Sequence, residues 1–273
     1  MIGTASLGPV GAPVVLPGVV AQVPELREAG VTATGLARRF GRRWALRHVD
    51  LRVEPGRLVM VVGRNGSGKS TLLRLIAGAI RPDRGRVLVD GHDACRDAEA
   101  VRRQTALLGH ASNTYDALTA LENLTVTARL TGTPTDRDAL TSVLDRVELA
   151  AYRDESVAGF SAGMRRRMAF ARLLLQTDAV APRDRSHKAS VVLLDEPYAQ
   201  LDWPGFRFVD DLVRSLAARG MTLLMATHLV ERGISLCDDG IVLEQGKLRW
   251  AGPAAWLGTR SGRELLDRPE GRD

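Results

Sequence analysis

Cysteine is scarce: Cys95 and Cys237 are the only two in 273 residues, too few and too far apart for a disulfide framework, and without metal-ligand spacing. Both read as reduced thiols, which suits a cytoplasmic protein. Long hydrophobic runs are also missing, since no stretch approaches the roughly 18 apolar residues that cross a bilayer, and the run over residues 14–20 is cut by Pro17 and Gly18. No basic leader precedes it, so neither a secretory signal nor a membrane span is expected. Internal repeats and coiled-coil heptads are absent as well, which argues against a solenoid or a long rod. What remains is a globular chain whose 45% apolar content is enough to build a core.

The residues richest in chemistry are Gly63-Arg64-Asn65-Gly66-Ser67-Gly68-Lys69-Ser70-Thr71, preceded by the apolar run Leu58, Val59, Met60, Val61, Val62 and followed by Leu72, Leu73, Leu75 and Ile76. That is a strand, a phosphate-binding loop and the first turns of a helix. Glycines let successive backbone N–H groups point inward at a polyphosphate, and the helix N-terminus adds positive potential. Lys69 reaches the β and γ phosphates and Ser70 ligates Mg²⁺ in such a loop. A second acidic site follows at Val191-Val192-Leu193-Leu194-Asp195-Glu196, an apolar strand ending in two adjacent carboxylates. Two neighbouring acids there are costly unless a cation or a reacting water compensates them, although they could instead cap the next helix.

Around these motifs the pattern is α/β. Residues 1–30 carry glycine, proline and almost no charge and read as an extension, while short strand-like segments begin at Val31. Residues 51–53, 86–89, 191–194 and 223–226 read as strands, a helix lies near residues 208–218, and a hairpin turns at Gln245-Gly246. Helical period dominates residues 101–177, notably 120–130, 138–147 and 164–175, and the polar segment 177–188 reads as a loop. The net charge of +6 is concentrated in Arg38, Arg39, Arg42, Arg43 and in Arg165, Arg166, Arg167. Both clusters read as solvated faces, and no nucleic-acid partner is expected.

Phe160-Ser161-Ala162-Gly163-Met164, ahead of a basic helix, resembles the signature segment of ABC-transporter ATPases. The order of all motifs agrees from about residue 32 to 256. This resemblance implies a P-loop NTPase (RecA-like) core with an antiparallel β subdomain and an inserted helical signature subdomain, spanning residues 31–257 and leaving 258–273 as a tail. It implies that Phe40 stacks on adenine, that Gly63 to Thr71 hold the phosphates of ATP, and that Ser70 and Asp195 bind Mg²⁺. Glu196 would orient the attacking water and His228 contact the γ-phosphate. Ser161 and Gly163 would hold the phosphate of a facing subunit, making ATP the glue of a homodimer that drives integral-membrane subunits from the cytoplasmic face. Leu201-Asp202 matches the loop that crosses the dimer interface.

Several positions depart from the family pattern. His110 stands where a Mg²⁺-ligating glutamine is usual, and because Mg²⁺ prefers oxygen, an imidazole there is expected to act through water or on the partner. Met164 replaces a glutamine, Ala162 a glycine, and Gln200 a small residue of the interface loop. Gly109-His110, the stretch 118–124 and Ser161-Ala162-Gly163 together resemble the ATP-binding subunit of the haem exporter of cytochrome c biogenesis, with drug, polysaccharide and lipid exporters as alternatives. Two other classes are carried along: a nucleic-acid-acting ATPase of the same superfamily, and a subunit that binds ATP without hydrolysing it.

Overall fold

The computed structural model describes residues 30–110, 113–133, 135–177 and 189–267, so the extension over 1–29, the loop residues 178–188 and the end of the tail lie outside the described residues. In chain order the strands are β1 (Val31–Phe40), β2 (Arg43–Val53), β3 (Leu58–Val62), β4 (Arg84–Val89), β5 (His92–Asp93), β6 (Thr105–Leu108), β7 (Val191–Asp195), β8 (Thr222–Ala226), β9 (Asp239–Glu244) and β10 (Lys247–Pro253). The helices are α1 (Lys69–Ile76), α2 (Ala98–Gln104), α3 (Ala120–Thr131), α4 (Arg137–Arg146), α5 (Ala162–Thr177), α6 (Trp203–Ala218), α7 (Val230–Leu236) and α8 (Arg260–Asp267).

Two sheets divide the strands, an antiparallel one ordered β2-β1-β4-β5 and a second ordered β10-β9-β3-β8-β7-β6. In the second, β9, β3, β8, β7 and β6 run parallel and β10 closes the edge antiparallel. Every residue of β3, β7 and β8 is buried, which is why their sequences are apolar without alternation. Burying one Val, Leu or Met side chain is worth about 1.5–3 kcal/mol, so strands made largely of them settle in the middle of a sheet covered on both faces. Register then aligns the strand ends: Val61 pairs with Ala226, Asp195 with Ala226 and Leu108 with Leu194. The loops leaving these carboxyl ends converge, as expected where parallel strands stop together.

Helices α3, α4 and α5 form the insert. A capping box starts α3, in which the Thr119 side chain accepts from the Glu122 amide and Glu122 reaches back to the Thr119 backbone. Gly132, with φ 68°, ends it in the left-handed conformation. Asp136 caps α4 through the Ala139 amide at 3.1 Å.

Three details differ from the sequence reading. Residues 105–108, inside the stretch read as helical, are the edge strand β6, because four residues are too few to display a period. The tail contains α8, whose Leu265 and Leu266 pack on the main core. The arginine clusters are not simply solvated. Arg38 lies over the Phe40 ring at 5.0 Å, Arg39 over Trp44 at 5.8 Å, and Arg166 is buried.

Candidate nucleotide-binding site

The phosphate loop hangs between β3 and α1, and its glycines are required by geometry. Gly63 has φ 148° and a Cβ there would meet the Leu243 carbonyl oxygen at 2.2 Å; Gly68 has φ 109° and would meet the Ala45 oxygen at 2.5 Å. Gly68 precedes α1 without any side-chain cap, and the first turn of α1 holds no acid, so the helix opens with free amides and uncompensated positive potential. Lys69 turns its ammonium back over the loop, donating to the Gly63 oxygen at 2.6 Å and the Arg64 oxygen at 3.2 Å. Burial lowers its pKa from the ordinary 10.5, against the opposing pull of Glu196 and Asp195.

The second half of the site comes from the ends of β7 and β8. Asp195, 2% exposed, accepts a hydrogen bond from the Ser70 hydroxyl at 2.9 Å, which joins the two motifs that lie 125 residues apart. Glu196 follows in the left-handed region at φ 49°, an unusual conformation for a residue with a side chain. Its amide is bonded to the Ala226 oxygen at 2.9 Å, and its carboxylate accepts from the His228 ring Nδ1 at 2.8 Å and lies 3.4 Å from the His228 amide. An acid and a histidine are thus aimed together, the acid four-fifths buried and the histidine exposed.

One cavity of about 440 Å³ joins the two halves, with Phe40, Arg43, Ala45, Asn65, Gly66, Gly68, Lys69, Ser70, Thr71, His110, Asp195 and Glu196 in its wall. Phe40 stands at its rim, 51% exposed. Gly63, Arg64, Ser67 and His228 border a neighbouring hollow behind the loop. Ser161 and Gly163 line neither. Ser161 sits at the start of α5, where its hydroxyl accepts from the Met164 amide at 3.2 Å, and Gly163 lies against the Gln200 backbone.

Two residues of the site escaped the sequence reading. Arg43 reaches the cavity because β1 and β2 turn tightly and pair Phe40 with Arg43. Arg166, 3% exposed, donates to the Gly109 oxygen at 2.7 Å, the Asp195 oxygen at 3.0 Å and the Glu196 oxygen at 2.6 Å. Burial pushes its guanidinium down to about 10, with Asp195 and Glu196 pulling the other way. The spacing held a signal: Arg166 is four residues before Phe170 and lies on the same buried stripe of α5.

The family model described as ABC transporter matches residues 46–199, more than half of the chain. The chain belongs to the ABC transporter family. This ABC cassette is 35% identical to a daunorubicin resistance ATP-binding protein of Streptomyces coeruleorubidus over 89% of its own length and 74% of that protein's. It is 37% identical to a cytochrome c biogenesis ATP-binding export protein of Bordetella bronchiseptica, over 82% and 94% of the two chains. An ATP-binding cassette solved as a dimer in a post-hydrolysis state, bound to ADP and Pi, matches with a TM-score of 0.71 at 24% identity, covering 82% of this chain and 99% of its own, a likeness of fold. The protein is accordingly an ATP-binding ATPase subunit coupled to transport.

Proposed function

We propose that this ABC cassette works as a homodimer on the cytoplasmic face of a membrane, hydrolysing ATP held between the phosphate loop of one copy and Ser161 and Gly163 of the other, and driving export through integral-membrane subunits. The observation that carries this reading is the division of the motifs: Lys69, Ser70, Asp195 and Glu196 line one cavity, and Ser161 and Gly163 lie outside it. A single chain holds half a site twice over, and two chains back to back complete both. No described helix is long and apolar enough to cross a membrane, so attachment would run through separate membrane subunits.

In this reading the loop amides and the open end of α1 take the phosphates, while Lys69 exchanges the carbonyls of Gly63 and Arg64 for phosphate oxygens. Phe40 takes the adenine ring and Asn65, Gly66, Ser67, Gly68 and Thr71 frame the phosphate chain. The Ser70 hydroxyl and Asp195 carboxylate are hard oxygen donors in contact, a pair that suits Mg²⁺. Bound there, Mg²⁺ would neutralise phosphate charge. His110 supplies nitrogen and acts through water or on the partner. Glu196 orients the water that attacks the γ-phosphorus, and His228 fixes the Glu196 carboxylate and faces the γ-phosphate. Cleavage of the bond to the bridging oxygen leaves two separating anions, so the halves open.

For the cargo, the likeness at Gly109-His110, residues 118–124 and Ser161-Ala162-Gly163, together with 37% identity to a cytochrome c biogenesis export protein, favours haem. The 35% identity to a daunorubicin resistance protein favours a drug as the second reading. Glu196→Gln is the test of the core claim. It should keep ATP affinity, lower turnover by roughly 10²–10⁴-fold, and elute as an ATP-dependent dimer; parent-like hydrolysis would sink it. Vesicles holding the membrane subunits then decide the cargo, by whether haem or an anthracycline raises ATP turnover.

A further inference from the structure

Resting on the hydrolytic reading above, we infer that Arg166 is a positioning residue for hydrolysis: its guanidinium pins the Asp195–Glu196 turn and the Gly109 turn to the signature helix. Its three acceptors are all backbone oxygens, those of Gly109, Asp195 and Glu196. They belong to the ends of β6 and β7, whereas Arg166 itself belongs to α5, three residues after Gly163. One side chain therefore ties the signature segment to the carboxylate that orients water and to the residue preceding His110.

The need for such a clamp follows from the turn. Glu196 holds φ 49°, and a backbone in that region persists only where its surroundings fix it. The Ala226 oxygen holds the Glu196 amide at 2.9 Å, and Arg166 holds the Asp195 and Glu196 carbonyls, one on each side of the Glu196 Cα. Between them every main-chain hydrogen-bonding group around the Glu196 Cα has a partner. The guanidinium suits this task because its planar fork presents several donors in fixed directions, whereas an ammonium would be a single point charge. The Arg166 guanidinium carbon also lies over the Phe170 ring, 5.6 Å from its centroid. Groups that orient a metal ligand or a reacting carboxylate without touching substrate are typically worth ten- to a hundredfold in activity. The neighbours on α5 act differently: Arg165 pairs with Asp116 at 2.6 Å and Arg167 with Glu148 at 2.5 Å, away from the Asp195–Glu196 turn.

The test compares Arg166→Lys and Arg166→Gln with Arg167→Gln, in the full chain. Expected for both Arg166 variants is a fall in kcat of roughly ten- to a hundredfold with Mg²⁺-free nucleotide affinity unchanged. The gain in affinity for a fluorescent ATP analogue on adding Mg²⁺ should shrink, since the Asp195 backbone is no longer held. Arg167→Gln should match the parent in both measurements. Rates are taken per folded molecule, with the folded fraction from circular dichroism, so that a loss explained by unfolding overturns the inference. Folded Arg166 variants with parental kcat and Mg²⁺ response overturn it as well. A parent chain that hydrolyses no ATP overturns the hydrolytic reading itself, an outcome separate from parent-like variants.

Discussion

The phosphate loop and the signature segment are made from the same materials, glycine, serine and a helix N-terminus, yet they behave differently. Helix α1 starts at Gly68 with no side-chain cap, and Lys69 and Ser70 line a cavity beside it. Helix α5 starts beside Ser161, whose hydroxyl already serves the Met164 amide, and neither Ser161 nor Gly163 reaches that cavity. An uncapped N-terminus with a lysine next to it is an anion site within one chain. A capped, exposed one gains its anion only when another molecule brings it. In the proposed homodimer the phosphate loop serves its own chain, and the signature segment serves a neighbour.

The largest expected effect breaks this comparison directly. Lys69→Ala and Ser161→Ala should each lower ATP turnover by roughly 10²–10³-fold as homodimers, the usual loss of one key charge-stabilising group. Mixed in equal amounts, they form heterodimers in which one composite site keeps both Lys69 and Ser161, and turnover should return. A signature segment that served its own loop would give no recovery in any mixture.

The two regions also differ in how they showed in the sequence. Residues 58–76 carry their structure locally, and β3 and α1 lie where the apolar run and the glycines put them. The Asp195-Glu196 strand end was equally legible, because four apolar residues followed by two acids describe a buried strand leaving a sheet. What stayed hidden depends on distant partners. The hairpin over β9 and β10 was read, but its parallel pairing of Ile241 with Val61 is set by a strand 180 residues away and leaves no local mark. Leu265 and Leu266 look like ordinary tail residues until the core they cover is known. Arg166 sat in a run of three arginines, where composition suggested solvent, and only its place on the stripe with Phe170 set it apart. The proposed role of Ser161 on a second chain cannot be written in one chain's periodicity at all.

A glycine-to-alanine pair sharpens the comparison at a smaller scale. At Gly63 the added Cβ would sit 2.2 Å from a backbone oxygen at φ 148°, so Gly63→Ala should cost about 1–3 kcal/mol of stability and weaken ATP binding by the isolated chain. At Gly163 the nearest atom is the Gln200 oxygen at 3.4 Å and the helical backbone tolerates alanine, so Gly163→Ala should leave melting and single-chain ATP binding near the parent. Its cost should emerge only in turnover by the dimer. Equal destabilisation by the two substitutions, measured by thermal melting, would remove the distinction.

The smallest effect concerns pH, and it should act through the phosphate loop alone. Burial lowers the Lys69 pKa below 10.5, so the unfolded chain binds more protons than the folded one in the window between the folded value and 10.5. The stability of the nucleotide-free protein therefore gains from this residue as pH rises through that window. Binding has the opposite sign, because the triphosphate favours the ammonium and draws its pKa back up. ATP affinity should then fall as pH climbs past the lowered value, by up to about tenfold per pH unit, with proton uptake on binding detectable by calorimetry in buffers of different ionisation enthalpy. Ser161→Ala should keep this profile, having no part in single-chain binding, and Lys69→Arg should flatten it. If Lys69→Arg retains the same alkaline fall, the titrating group is another one.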